Sequence, residues 1–394
     1  MVSLKLERSF FARRSGPFLL RRPDTEERLR ILAEASRFDL AGSCHRGPDG
    51  RGRRRGPGNR WIYPVTLPNG RRITLFKTLV SNVCVSDCAY CPLRADQDPQ
   101  RVSLSPKEIV AIFMDYLRRG WVNGIFISSG IVGDPDTTME ILIQVGRILR
   151  FKEGYRGYLH LKIIPGASQA AIEETVQLAD AVSINIETAG LRNFKRLSQR
   201  KDYFRDIIAP LKYIAHLRER LKDRGQRLSQ TTQFVVGAAG ETDQEILAYL
   251  EGLYRRLSLN RVYFSAYQPG AGRPDLPGES LATKTDLLTR EHRLYQVDFL
   301  VRKYGFSVAE IPLNEKGFLP LDRDPKEAWA QANPGFFPVN INRASREELL
   351  RVPGLGPTLV SRIIRRRRET RLKSLKGLCH QTWLLKKAAP YVTF

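Results

Sequence analysis

The sequence predicts an α/β fold, a partial (β/α)6-type TIM barrel followed by a small all-α module. Three observations carry this expectation. Apolar or β-branched runs of strand length alternate with helical patterns through the middle of the chain, and repeated βα units imply parallel strands joined by crossover helices. Two of the runs place polar side chains on one face only. Near the C-terminus, two short helical patterns flank a turn rich in Gly and Pro.

Residues 1–24 are an Arg-rich extension with scattered Phe10, Phe11, Phe18, Leu19 and Leu20. It has no continuous apolar core and no small-residue cleavage site, so it reads as an extension and not as a signal peptide. Residues 25–60 hold a leading helix and a linker. The helix runs from Thr25 to Ser36 with Leu29, Ile31, Leu32 and Ala35 apolar; the stretch 46–60, RGPDGRGRRRGPGNR, has nothing to bury. The barrel is assigned to 61–330. It opens with a hairpin, Pro68-Asn69-Gly70 lying between runs at 61–67 and 71–79. Strands are expected at 73–79, 124–129, 158–164, 180–187, 231–237, 261–267 and 307–311. Ser105-Pro106 opens the first intervening helix as cap and N1 proline, ahead of Ile109, Val110, Ile112, Phe113, Tyr116 and Leu117.

Parity separates two faces in the fourth and third of these runs. Val182, Ile184 and Ile186 share one face, and Ser183, Asn185 and Glu187 the other. Likewise Leu159, Leu161 and Ile163 oppose Tyr158, His160 and Lys162. An ordinary parallel strand is apolar on both faces. A polar face suits a lumen that holds a charged cofactor and substrate, and the other reading is a strand exposed on one side. His160 and Lys162 fit substrate contact and lumen packing equally well.

With 394 residues, 42% of them hydrophobic, the chain can bury a substantial core. It has no run of about 18 apolar residues, so no membrane span is expected. Five cysteines, three of them in one short motif, suit a reducing cytoplasm and not a disulfide scaffold. A formal charge of +24 makes a polyanion the natural partner, nucleic acid above all, without separating DNA from RNA.

The most informative segment is Cys84-Val-Ser-Asp-Cys88-Ala-Tyr-Cys91. Three thiolates can hold three corners of a four-iron cluster and leave one iron open to a ligand. Zinc is the rival reading, but a structural zinc site wants four ligands, and the nearest further candidates are Cys44 and His45 far upstream. Cys84, Cys88, Tyr90 and Cys91 resemble the signature of the radical S-adenosylmethionine (SAM) superfamily. The resemblance implies a [4Fe-4S] cluster on the three cysteines and SAM as second cofactor. It implies reductive cleavage of SAM to methionine and a 5′-deoxyadenosyl radical that abstracts hydrogen from a substrate. By the same resemblance Tyr90 lies against the adenine edge, and Ser128-Ser129-Gly130 stands where the superfamily often has Gly-Gly-Glu for the cofactor's amino end. This chain lacks that glutamate. Asn185 and Glu187 correspond to the pair that holds the ribose hydroxyls, and Gly237, with Gly240 and Glu241, to a turn beside adenine. Cys44 and Cys379 are too few for a second cluster of the usual kind, which disfavours methylthiotransferases. Either lone thiol could donate a hydrogen atom or carry a methyl group, although an ordinary cysteine is the commoner case.

Residues 331–394 form the last unit. Ser345 and Glu348 make a capping box, Val352-Pro-Gly354-Leu-Gly356-Pro357 a tight turn, and Thr358 begins a helix with Leu359, Val360, Ile363 and Ile364 on one face. Arg362 and Arg365–Arg368 supply cations. This resembles the helix-hairpin-helix, a DNA-binding element without sequence preference. Its glycines allow close backbone approach, and N–H groups at a helix start hold phosphate. The residues so assigned to DNA are Gly354, Gly356, Arg362, Arg365 and Arg366. A protein- or tRNA-binding helical module is the other reading, and the tail from Ser374, with Trp383, Leu384 and Leu385, is expected to pack against the hairpin. The two units together resemble a bacterial family of radical SAM proteins described as DNA modification or repair proteins. That resemblance implies an enzyme acting on DNA, fed by an electron donor such as flavodoxin or ferredoxin. An RNA-modifying enzyme and a non-catalytic iron–sulfur sensor on DNA are the alternatives.

Overall fold

The computed structural model describes residues 23–36, 62–66, 72–280 and 284–394. Residues 1–22, Cys44, His45, the segment 46–60 and the turn Pro68-Asn69-Gly70 lie outside the described residues. Helix α1 (Thr25–Ala35) starts at Asp24, whose side chain accepts from the Glu27 N–H. Strands β1 (Ile62–Thr66) and β2 (Arg72–Leu79) pair antiparallel, as the hairpin requires. Next come α2 (Pro106–Arg118), β3 (Gly124–Ser128), α3 (Pro135–Arg147), β4 (Tyr158–Lys162), α4 (Gln169–Leu178) and β5 (Ala181–Ser183). The barrel continues with α5 (Leu191–Leu197), α6 (Ala209–Asp223), β6 (Ser229–Val236), α7 (Asp243–Arg255), β7 (Arg261–Ala266), α8 (Pro277–Ser280) and α9 (Lys284–Tyr304).

The seven strands form one curled sheet in sequence order, and every pair from β2 to β7 is parallel. This is a half-barrel with a single antiparallel strand at its edge. Local sequence sets the helix starts. Ser105 with Glu108, and Thr242 with Glu245, form reciprocal capping boxes at α2 and α7, which satisfy backbone N–H groups that the helix leaves open. The parity expectation holds. Leu159, Leu161, Ile163, Val182, Ile184 and Ile186 are all fully buried in the apolar layer beneath the helices. Each such side chain contributes about 1.5–3 kcal/mol relative to exposure.

Two expected strands differ. The run at 307–311 is not a strand: Val308–Glu310 is a 3-10 turn, closed by a capping box between Ser307 and Glu310. Local hydrogen bonding there satisfies the backbone without a sheet neighbour. β5 ends at Ser183, four residues before the expected Glu187. Beyond it the Thr232 hydroxyl accepts from the Ile186 N–H and donates to the Ile184 carbonyl, so a side chain replaces the ladder.

The remaining elements are α10 (Pro325–Ala332), β8 (Val339–Asn340), α11 (Arg346–Arg351), α12 (Pro357–Glu369), α13 (Thr382–Ala388) and β9 (Val392–Thr393). From β8 onward the buried residues form their own apolar cluster, including Ile341, Leu349, Val352, Val360, Ile363 and Leu378. This unit is fastened to the barrel side. Arg351 pairs with Glu310 at 2.5 Å and lies over the Phe306 ring, and Lys326 Nζ donates to the Leu355 carbonyl at 2.6 Å. No helix among the described residues is long and apolar enough to cross a membrane.

Candidate active site

The cysteine segment follows β2 and crosses the C-terminal ends of the strands. Backbone bonds fix it: Val85 N–H donates to Ile131, Ala89 N–H to Leu197, and Arg273 N–H to the Ala89 carbonyl. Gly130 is required here because a Cβ would lie 2.3 Å from the Val83 carbonyl oxygen. Its own N–H donates to the Ser81 carbonyl at 2.8 Å.

One cavity gathers Cys84, Cys88, Cys91 and Tyr90 with Ser128, Ser129 and Gly130, and with Asn185 and Glu187 beyond β5. The strand ends add Lys162 from β4, Gln233 from β6 and Ser265 from β7. A pocket at the C-terminal face is where barrels place chemistry. The parity expected for Asn185 and Glu187 therefore points into the lumen, and Ser183 on the same face bonds to His160. His160 is buried below this level, its Nε2 2.9 Å from the Ser183 hydroxyl and its ring against Phe126.

Each of the three sulfurs faces a hydrogen-bond donor. Cys84 Sγ accepts from the Ile131 N–H at 3.4 Å, Cys91 Sγ from the Leu93 N–H at 3.4 Å, and Cys88 Sγ lies 2.9 Å from Lys201 Nζ. Such donors favour negative charge on sulfur and are the usual outer partners of metal-bound thiolates. Burial, and then the neighbouring Cys88 sulfur, push the Cys91 thiol up to about 12. Unliganded thiols therefore repel one another's charge here, and a cationic cluster core relieves that repulsion. Among the described residues no group of three or more His, Cys, Asp or Glu gathers to hold a single metal ion. Three thiolates can hold three corners of a four-iron cluster. The donor set fits a cluster.

Polar groups aim into the remaining space. The Ser129 hydroxyl is buried without a hydrogen-bond partner. Glu187 has φ +67, a conformation that side chains other than Gly rarely adopt, yet its N–H and carbonyl are bonded to Gln233 and Val235. Burial raises the Tyr90 hydroxyl well above its ordinary range, and the Glu187 carboxylate adds to the effect. Lys201 is held charged: burial opposes the ammonium, but the Cys88 and Glu187 charges outweigh it and raise its pKa.

Other expected residues are placed elsewhere. Gly237 does not line this cavity; at φ +89 it packs so tightly that a Cβ would lie 2.4 Å from Leu287 Cδ2. Glu241 is spent on the same turn, accepting from the Gly237 and Ala239 N–H groups beside Arg290. In the C-terminal unit Gly354, φ +83, abuts α13, where a Cβ would lie 2.3 Å from the Leu384 carbonyl, so the tail does pack on the hairpin. Gly356 faces the Tyr304 hydroxyl. Arg362 donates to the Leu378 carbonyl and Arg366, itself exposed, to Gly377, and Arg365 and Arg368 are exposed. Cys379 Sγ accepts from the Gln381 N–H within this unit, and it does not line the cavity. Lys201 was not expected from the sequence, because a lysine in the polar stretch Ser198–Asp202 carries no local signal. Ser265 could have been found by extending the parity argument to β7.

Comparison with known proteins is consistent with this geometry. A radical SAM superfamily profile matches residues 78–253, and a helix-hairpin-helix motif profile matches residues 337–388. No curated protein sequence matches the chain. Among solved structures, the FeFe-hydrogenase maturase HydG from Carboxydothermus hydrogenoformans is 16% identical with a TM-score of 0.44, covering 58% of this chain and 51% of that one. Methylornithine synthase (PylB) is 14% identical with a TM-score of 0.44, covering 69% and 72%. The methyltransferase TsrM from Kitasatospora setae, solved with cobalamin and a [4Fe-4S] cluster, is 14% identical with a TM-score of 0.37, covering 48% and 34%. The chain spans about half the length of the HydG maturases it matches.

Proposed function

We propose that this chain, in which a radical SAM domain is followed by a helix-hairpin-helix motif, is a radical SAM enzyme that modifies or repairs DNA. One observation carries the reading: three donor-supported thiols share a cavity with Asn185, Glu187 and Lys201 at the open ends of the parallel strands. When bound, a [4Fe-4S] cluster and SAM supply reductive carbon–sulfur cleavage and a carbon radical, chemistry no side chain can perform.

The protein's own residues bind, orient and shield. Cys84, Cys88 and Cys91 hold the cluster, with the Ile131 and Leu93 N–H groups and Lys201 stabilising charge on sulfur. Asn185 and Glu187 hold hydroxyl groups of the cofactor, the carboxylate accepting from two donors. Ser128, Ser129 and Gly130 receive its amino end through hydroxyls and backbone, in place of the absent glutamate. Lys201, already facing Cys88 and Glu187, supplies the cation for a carboxylate. Tyr90 closes the adenine side. Lys162, lining the cavity from β4, meets the substrate, and His160 packs beneath it.

The charge of +24 favours a nucleic-acid substrate and the helix-hairpin-helix motif favours DNA as that polymer, with Gly354, Gly356, Arg362, Arg365 and Arg366 assigned to its backbone. The proposed setting is the cytoplasm, with flavodoxin or ferredoxin as electron donor. The test is anaerobic reconstitution with chemical reductant and SAM, followed by analysis of products on duplex DNA, single-stranded DNA and structured RNA. DNA-stimulated 5′-deoxyadenosine with an altered nucleotide is expected. RNA as the only stimulating polymer would move the activity to RNA. A cluster that never cleaves SAM would leave a DNA-bound sensor.

A further inference from the structure

The described tryptophans are used in opposite ways. Trp329 is buried among Phe306, Phe336 and Phe337, and Trp121 packs against Tyr116 and Arg119. Trp383, at the start of α13, is 61% exposed; among the described residues it joins no apolar cluster and makes no ring contact. A single exposed apolar side chain is ordinary, so its surroundings must supply the meaning. A Cβ on Gly354 would lie 2.3 Å from the Leu384 carbonyl oxygen, so the residue after Trp383 abuts the hairpin turn. From that turn α12 leaves at Gly356 with no side-chain cap, and N–H groups at its start stay open to an acceptor. Lys386, three residues on from Trp383 and on the same face of α13, is exposed and has no ion-pair partner among the described residues. The segment 370–394 contains no Asp or Glu, and the unit 337–394 sets thirteen Lys and Arg against Glu347, Glu348 and Glu369. Two of those cations are paired with carboxylates outside the unit, Arg351 with Glu310 and Lys387 with Asp324 and Glu327, which still leaves the unit strongly basic.

We infer that Trp383 stacks on an unpaired base of a DNA strand whose phosphates are held at the adjacent hairpin turn, an inference that rests on the DNA reading above. The substrate is then DNA with an opened or single-stranded stretch, not a continuous duplex. An aromatic side chain stacks on any base, because every base offers a π face. Within an intact duplex both faces of each base are already covered, and the indole gains little there. Chemistry on a base in a duplex also needs that base brought out of its stack. The absence of carboxylates from 370–394 suits a phosphate backbone, and Lys386 adds a cation beside the indole. A protein-binding patch would gather several apolar side chains, whereas the exposed neighbours Gln381, Thr382 and Lys386 are polar.

The test uses the full-length reconstituted protein with Trp383→Ala and Trp383→Phe. Each is titrated with a labelled continuous duplex and with the same duplex carrying a single-stranded gap. Trp383 lies outside the apolar cluster of its unit, so denaturant midpoints are expected to match wild type. Affinity for gapped DNA is expected to fall about tenfold in Trp383→Ala, with most of the loss recovered in Trp383→Phe. Affinity for the continuous duplex stays within about twofold, because phosphate contacts carry it. Gapped DNA also quenches the indole fluorescence of wild type, and that part of the quench is missing in Trp383→Phe. Unaltered affinity for gapped DNA in Trp383→Ala, or an equal loss on both DNAs, would overturn the inference. So would self-association of wild type that Trp383→Ala abolishes, since a second copy would then cover the indole. If wild type binds gapped DNA as expected but forms no 5′-deoxyadenosine with chemical reductant, the catalytic reading fails and the stacking site stands. If it binds neither DNA, both fail.

Discussion

Glu187 offers a substitution series in which stability and function should part. Its φ of +67 places a side chain where glycine is at ease, a conformation that costs other residues about 1–2 kcal/mol. Glycine also frees the unfolded chain by about 0.4–1 kcal/mol relative to alanine. The difference leaves Glu187→Gly more stable than Glu187→Ala by roughly 0.5–1 kcal/mol, both having lost the same carboxylate. That carboxylate accepts two hydroxyl donors in the proposed complex, and hydrogen bonds to a charged group contribute about 1.5–3 kcal/mol. Both variants should therefore bind SAM roughly ten- to a hundredfold more weakly than wild type. Denaturant midpoints measure the first quantity, and anaerobic SAM titration of reconstituted protein the second. An alanine variant as stable as the glycine variant, or SAM affinity preserved in either, would refute the reasoning.

Three further outcomes are expected. Gly354→Ala forces a Cβ to 2.3 Å from the Leu384 carbonyl at φ +83, so α13 must shift. Chemical denaturation should show a loss of about 2–4 kcal/mol in the C-terminal unit. Burial, reinforced by Lys387 and Arg351, lowers Lys326 from 10.5 to about 7. Between those values the unfolded chain holds a proton that the folded chain has released, so stability should rise with pH from about 7 upward. Thermal melts of Lys326→Met should lack that rise. The exposed Arg365 and Arg368 are changed together to Gln in another variant. If both meet phosphate, the salt dependence of DNA binding should flatten by about two counterions, about 0.9 each, as read from affinities across a salt series.

Much of the architecture was legible because local and global signals agree. The alternation at 158–164 and 180–187 assigned the lumen faces of β4 and β5 before any contact was known. The Ser105-Pro106 cap and the Ser345–Glu348 capping box placed helix starts to the residue. Failures came where a distant or competing group decides the outcome. The end of β5 depends on the Thr232 hydroxyl, forty-odd residues downstream, and the apolar run at 307–311 closes on its own Ser307 cap. The glycine turn after β6 looked like an adenine site, but Leu287 and Glu241 fill and bind it from within. Lys201 was invisible because its meaning comes wholly from a neighbour 113 positions away, Cys88. The cysteines themselves were the clearest site in the chain, since their spacing alone carried the chemistry.

The account turns on whether Cys84, Cys88 and Cys91 hold a cluster with an iron left open for SAM. Anaerobically reconstituted protein, reduced and followed by electron paramagnetic resonance, measures this directly. About four irons per chain are expected, with a spectrum that shifts on adding SAM and is lost when the three cysteines become alanine. Bound zinc, or an iron signal indifferent to SAM, would contradict the account.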